Sequence, residues 1–206
     1  MILCGPARGP NAIDRRTHAA TADEVEDKRR MKIQLLSAAA ALIALTGVAD
    51  AHGPTRQKTQ QQVEINATPD KVWKVVGNFQ DASWIPIVEK TEGSGGNDKD
   101  ATRKLTLKGG ATVEEVLDTY DASGFTYHYR ITNVDVKVLP VTNYSSKITV
   151  KADGDKSTVT WWGAFYRGYP NNDPPAELSD EAAIKAVNDL YKAGLGNLKD
   201  KVEKGS

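Results

Sequence analysis

Between Thr59 and Asn66, Val63 and Ile65 alternate with polar neighbours, the period of two that marks a strand half buried on a sheet. The pattern then changes. Thr68-Pro69-Asp70 offers an N-cap and a proline at the first helical position. Val72, Trp73, Val75, Val76 and Phe79 follow as one apolar face of a short helix, ended by Gly77-Asn78. A second short helical turn is expected over Asp81–Ile85. From Ile87 the period returns to two, broken by turn clusters at Gly93–Asp100, Lys108-Gly109-Gly110, Asp121–Gly124 and Asp153-Gly154-Asp155. Between these clusters lie six predicted strands, Ile87–Glu92, Ala101–Leu107, Thr112–Tyr120, Phe125–Thr132, Thr142–Ala152 and Ser157–Arg167. Their short connections imply antiparallel neighbours.

A loop rich in Pro, Asn and Asp spans Gly168–Glu177, and Ser179-Asp180-Glu181 then caps a long final helix. Ile184, Val187, Tyr191, Leu195, Leu198 and Val202 recur along it at three- and four-residue intervals, one continuous apolar stripe. One strand, two short helices, six strands and a long helix predict an α+β domain. In it a curved antiparallel sheet of about seven strands wraps the C-terminal helix.

Upstream, Met31-Lys32, the apolar run Ile33–Val48 and Ala49-Asp50-Ala51 before His52 have the three parts of a secretory signal peptide. The mature, periplasmic protein is then expected to be a single domain over residues 52–206. Residues 1–30, polar and aperiodic, read as sequence upstream of the true start at Met31. The alternatives for residues 31–51 are a buried Ala/Leu helix and a retained membrane anchor. Cys4, the single cysteine, precedes the cut, so no disulfide is expected although the compartment would allow one. The chain carries 27 Lys/Arg against 27 Asp/Glu, and the balance after the cut stays near neutral, with no electrostatic footprint for nucleic acid. No run after residue 52 is long and apolar enough for a membrane span, and no cofactor is expected.

Alternation places Val113, Glu115, Leu117, Thr119, Tyr127, Tyr129, Tyr144, Ser146, Ile148, Val150, Val159, Trp161, Gly163 and Phe165 on one face of the late strands. Such an aromatic, nearly charge-free face fits either a sheet packed on its helix or a sheet lining a cavity. Glu115 in phase with it needs a partner, water or a ligand. Gly194 and Gly196 inside the final helix suggest that something approaches it closely. Asn133–Thr142, longer than a hairpin requires, is a candidate lid.

Several motifs occur in order: Thr68-Pro69-Asp70-Lys71-Val72-Trp73, Trp84-Ile85-Pro86, Glu115-Val116-Leu117 with Asp121, Leu139-Pro140-Val141-Thr142-Asn143-Tyr144, and Val159-Thr160-Trp161 with Phe165. Together they resemble the SRPBCC (START-like) superfamily with its helix-grip fold, in the polyketide cyclase/dehydrase and lipid-transport branch, which is also similar to plant abscisic-acid receptors. The leader followed by Ala51-His52-Gly53-Pro54-Thr55 resembles the MxaD-like periplasmic proteins of methanol-oxidising bacteria. The resemblance implies a cavity between sheet and long helix. It makes Glu115 a polar pocket position, Val141 and Tyr144 the lid-side wall, and Leu190 and Gly194 the helix wall. The family often has Trp-His-Pro where this chain has Trp84-Ile85-Pro86, which removes one potential acid/base group.

Three readings follow. In the first, the domain binds a small, largely apolar ligand without catalysis. Tyr127, Tyr129, Tyr144, Trp161 and Phe165 supply contact, beside Leu117 and Ser146, and Glu115 orients a polar group. In the second, resting on the MxaD-like resemblance, it is an accessory factor touching a periplasmic dehydrogenase or c-type cytochrome through the outward Trp162, Tyr166 and Tyr169. Trp162 could equally lie under the N-terminal segment. In the third it is a cyclase-like enzyme, although no Ser/His/Asp or Cys/His set can be assembled on the pocket face, because His128 falls on the opposite one. An N-terminal His52 could chelate Cu(II), or it could be a by-product of processing.

Overall fold

The computed structural model describes residues 53–205 together with residues 26, 29 and 30. The predicted leader, its cleavage site and His52 lie outside the described residues. Seven strands, β1 (Gln57–Ile65), β2 (Val88–Ser94), β3 (Thr102–Leu107), β4 (Thr112–Asp121), β5 (Thr126–Val134), β6 (Val141–Asp153) and β7 (Lys156–Arg167), form one antiparallel sheet. Its order is β1-β7-β6-β5-β4-β3-β2. Successive hairpins build β2 to β7, and β1 closes the far edge against β7 in unbroken register from Gln57↔Phe165 to Ile65↔Ser157. Helix α1 spans Pro69–Val76 and helix α2 spans Asp180–Lys204. This is the α+β arrangement, an antiparallel sheet wrapped on the C-terminal helix, expected from the residue pattern, with one short helix after β1.

Helix α2 buries Ala183, Val187, Tyr191, Gly194, Leu195 and Leu198. The expected stripe thus faces the sheet, with Ile184 and Val202 half-buried at its margins. Ser179 Oγ accepts the Ala182 N–H at 3.2 Å, and Gly205 closes the far end in the left-handed region at φ 67°. Arg167 fixes where the helix starts: Nη1 meets Asp180 Oδ2 at 2.9 Å while Nε and Nη2 donate to the carbonyls of Tyr169 and Asn171. The loop between β7 and α2 is thereby tied to both.

Four expectations are corrected. Thr68 precedes α1 in extended backbone, but its side chain makes no capping bond. No second helix forms over Asp81–Ile85. Asp81 Oδ1 turns the chain by accepting from the Ser83 N–H at 2.9 Å, and Pro86 biases Ile85 away from helical backbone, so the segment is a run of turns that buries Ala82, Trp84 and Ile85. Thr119 is exposed, because the β4–β5 register slips between Leu117 and Thr119 and brings Tyr120 inward against Trp73 and Tyr127. Gly196 meets none of the described residues where its Cβ would be; of the two, Gly194 marks a close approach.

A second irregularity shapes the site. The β6–β7 register shifts between Thr142 and Ser145, with Asn143 at φ 48°. The extra residue lets Val141 and Tyr144, three apart, both point into the core.

Candidate ligand cavity

A cavity of about 410 Å³ lies between the β3–β7 part of the sheet and α2, inside the usual range for small-molecule sites. Leu105, Leu107, Val113 and Ile131 form its apolar floor, with Tyr129, Tyr144 and Trp161 at its deeper side and Glu115 among them. Ala186, Leu190 and Ala193 give the helix wall, and Asp189 stands at its edge. Two loops complete it: Ile85-Pro86-Ile87 ahead of β2, and Val138-Leu139 between β5 and β6. That second loop lies in the segment read as a candidate lid and is shorter than predicted, because β5 runs on to Val134. Asp135 organises it, its carbonyl accepting from Val138 and Leu139 and its side chain from the Lys137 N–H. Ile87 and Val138 are the exposed large hydrophobics among the described residues, at 44% and 39%, and both border this cavity. Apolar surface left in water at a pocket mouth favours an apolar visitor.

Of the side chains expected to contact a ligand, Glu115, Tyr129, Tyr144, Trp161 and Leu190 border the cavity. Leu117, Tyr127, Val141, Ser146, Phe165 and Gly194 are buried without reaching it. Leu117 and Tyr127 lie toward the end of the sheet away from the lid loop, which packs solidly. There Trp73, Phe79, Tyr120 and Tyr127 fill the space with ring contacts of 5.6–6.5 Å. At Gly194, a Cβ would stand 2.7 Å from Trp161 Cζ3 and 3.2 Å from Trp84 Cζ3. The glycine thus admits two indoles that pack on each other at 4.9 Å.

Glu115 has a partner that the residue pattern left unassigned. Arg103 pairs directly across β3–β4 with Glu115, and its Nε donates to Glu115 Oε2 at 2.5 Å. Its Nη1 donates to the Phe79 carbonyl at 2.8 Å, and the guanidinium lies 4.2 Å from the Phe79 ring centroid. Both charges are buried, at 2% and 5% exposure. Burial opposes the Arg103 charge, but Glu115 with Tyr127 and Tyr129 outweighs it and holds the proton more firmly than usual. Burial raises the Glu115 carboxyl above its ordinary range, and Arg103 opposes that rise. The signal was present in the pattern, since Arg103 is in phase with the buried Ala101, Leu105 and Leu107.

Tyr191, read from the pattern only as part of the helix stripe, joins a buried polar cluster. Its hydroxyl meets Tyr144 Oη at 2.6 Å and Ser146 Oγ at 3.1 Å, and its ring stacks on Trp161 with centroids 4.2 Å apart. Gly163 opposite has no side chain because one would collide with that hydroxyl. Burial pushes the phenols of Tyr127, Tyr129, Tyr144 and Tyr191 well above the ordinary value of 10.0, so all four stay protonated in neutral solution.

On the opposite face, Trp162 is half-buried beside Gln60, His128 and Lys147 in an open polar groove. Arg56 of the lead-in lies 5.6 Å over the Tyr166 ring, and Tyr169 is half-buried beyond it. The three do not form one exposed aromatic patch. Among the described residues no cluster of three His, Cys, Asp or Glu could hold a metal, and no helix is long and apolar enough to cross a membrane.

Residues 56–203 match the family model described as polyketide cyclase / dehydrase and lipid transport, and the chain belongs to this family. No curated protein matches it. Among solved structures, it is similar to the protein XoxI from Bacillus cereus, at 31% identity over 70% of this chain and 94% of that one, with a TM-score of 0.60. The Zhui aromatase/cyclase from Streptomyces sp. R1128 shares the fold at 18% identity, covering 73% of this chain and 95% of its own, with a TM-score of 0.59. Norcoclaurine synthase from Thalictrum flavum shares it at 17% identity, 77% and 91% coverage and a TM-score of 0.52.

Proposed function

We propose that the domain binds a small, largely apolar molecule in the sheet–helix cavity and does not transform it. The observation that carries this reading is the cavity itself: about 410 Å³ walled mainly by aliphatic and aromatic side chains, with exposed Ile87 and Val138 at its mouth. Its polar side chains suit holding rather than proton transfer. Glu115 is engaged by Arg103, the phenols keep their protons, and Ile85 stands at the position for which the family resemblance implies a histidine. The cyclase and synthase likenesses lend the fold but no catalytic group.

The leader pattern of residues 31–51 supports export to the periplasm, and the motifs after Ala51 support an MxaD-like accessory role in methanol oxidation, beside a dehydrogenase or its cytochrome. Native mass spectrometry of the protein isolated from the periplasm of its own host tests both parts. Expected are a product beginning at His52 and a bound small molecule that Ala186→Phe, which fills the helix wall, displaces. A product retaining residues 1–51, or recovered only from the cytoplasm, would sink the export reading. An empty protein indifferent to Ala186→Phe would sink the binding one.

A further inference from the structure

Resting on the cavity reading above, hydrogen-bond directions in the cavity wall narrow what the cavity can hold. Ser146 Oγ lies 2.7 Å from the Trp162 carbonyl, which can only accept, so the serine proton is committed there. Tyr191 must then donate to Ser146, and Tyr144 to Tyr191. With Trp161 Nε1 donating to Ser146 at 2.8 Å, both lone pairs of that hydroxyl are filled. Tyr129 Oη accepts a longer bond from the same indole at 3.2 Å; the neighbouring Ser146 hydroxyl has both lone pairs filled, so the Tyr129 proton is left without a free acceptor among the described residues. Glu115 presents the complement. Oε2 is taken by Arg103, whereas Oε1 has no partner among the described residues and is not sealed from open space. The cavity is the open space that Glu115 borders.

The two groups stand on adjacent strands of one face, Glu115 opposite Ile131 and Tyr129 opposite Leu117, which makes them diagonal neighbours. One unspent donor and one unspent acceptor therefore meet the same apolar space. Charge adds a sign to this. Among the described residues, the charged ones bordering the cavity are Glu115 and Asp189, and no cation is among them.

We propose that the cavity selects an apolar molecule carrying a neutral hydroxyl, which donates to Glu115 Oε1 and accepts from Tyr129 Oη, and that it rejects a carboxylate of the same shape. A hydroxyl satisfies both groups at once. A carboxylate would bring only acceptors to Glu115 and would give up its hydration without a counter-ion.

Fluorescence titration of the full chain with naphthol, naphthalene and naphthoate tests this at neutral pH. Naphthol is expected to bind at least about tenfold more tightly than either of the others, as two hydrogen bonds of ordinary net strength allow. Tyr129→Phe, which removes one hydroxyl and keeps the ring, is expected to weaken naphthol about fivefold to tenfold and to leave naphthalene unchanged. Naphthoate binding as tightly as naphthol overturns the proposal, and so does an equal loss of naphthol and naphthalene in Tyr129→Phe. Equal binding of naphthol and naphthalene overturns it while the cavity reading stands. Failure of all three probes to bind overturns both. Should Tyr129→Phe not fold, the order of the three affinities in the unaltered chain decides.

Discussion

The two glycines inside α2 should respond to alanine with opposite signs. Each costs about 1 kcal/mol relative to alanine in a helix interior. At Gly196 nothing among the described residues lies within 4 Å of the added Cβ. Gly196→Ala is therefore expected to stabilise by about 1 kcal/mol, and to raise Tm by roughly 2–4 °C for a domain of this size. At Gly194 the same gain is opposed by an overlap with Trp161 Cζ3 at 2.7 Å. That indole cannot swing away, because its Nε1 is bonded to Ser146, one face stacks on Tyr191 at 14°, and Trp84 packs beside it. Forcing a methyl into such a site costs about 1–3 kcal/mol, so Gly194→Ala should end between neutral and roughly 2 kcal/mol less stable. Urea denaturation of the full chain, followed by circular dichroism, measures both. Equal stabilisation by the two substitutions would refute the account of Gly194 as a packing requirement. Because Trp161 borders the cavity, Gly194→Ala should also weaken naphthol binding, which Gly196→Ala should leave alone.

Two further outcomes are expected. Tyr127, Tyr129, Tyr144 and Tyr191 have raised pKa values in the fold, so their contribution is intact below the unfolded phenol value of 10.0 and is lost as pH rises above it. Each removes about 1.4 kcal/mol per pH unit there, giving a steep alkaline unfolding at which phenolate absorbance jumps; gradual ionisation of all seven tyrosines before unfolding would contradict it. Arg103→Met leaves Glu115 buried without its counter-ion and should cost about 3–5 kcal/mol at neutral pH. Since the unpaired carboxyl has a raised folded pKa, stability should recover as pH falls, and Arg103→Met combined with Glu115→Leu should restore much of it; an acid-insensitive single variant would count against the pair.

The order and type of the elements were legible along the chain, because strand alternation and the α2 stripe are local periods that declare which side chains turn inward. The same periods placed Glu115, Tyr129, Tyr144 and Trp161 on one face. What they could not declare depends on register and on distances between surfaces. A slip after Leu117 turns Thr119 out and Tyr120 in, and the bulge at Asn143 sends both Val141 and Tyr144 inward, changes of phase that no single strand announces. Arg103 stood in phase on β3, yet only the pairing of β3 with β4 brings it to Glu115 and turns an isolated acid into half of an ion pair. Where the core ends and the cavity begins was likewise a tertiary decision. The inward face is continuous in sequence, while its packing closes solidly around Tyr127 and Phe79, where aromatic rings meet, and stays open under Val138, Ile87 and Leu190, where aliphatic side chains of the loops and α2 leave a cavity.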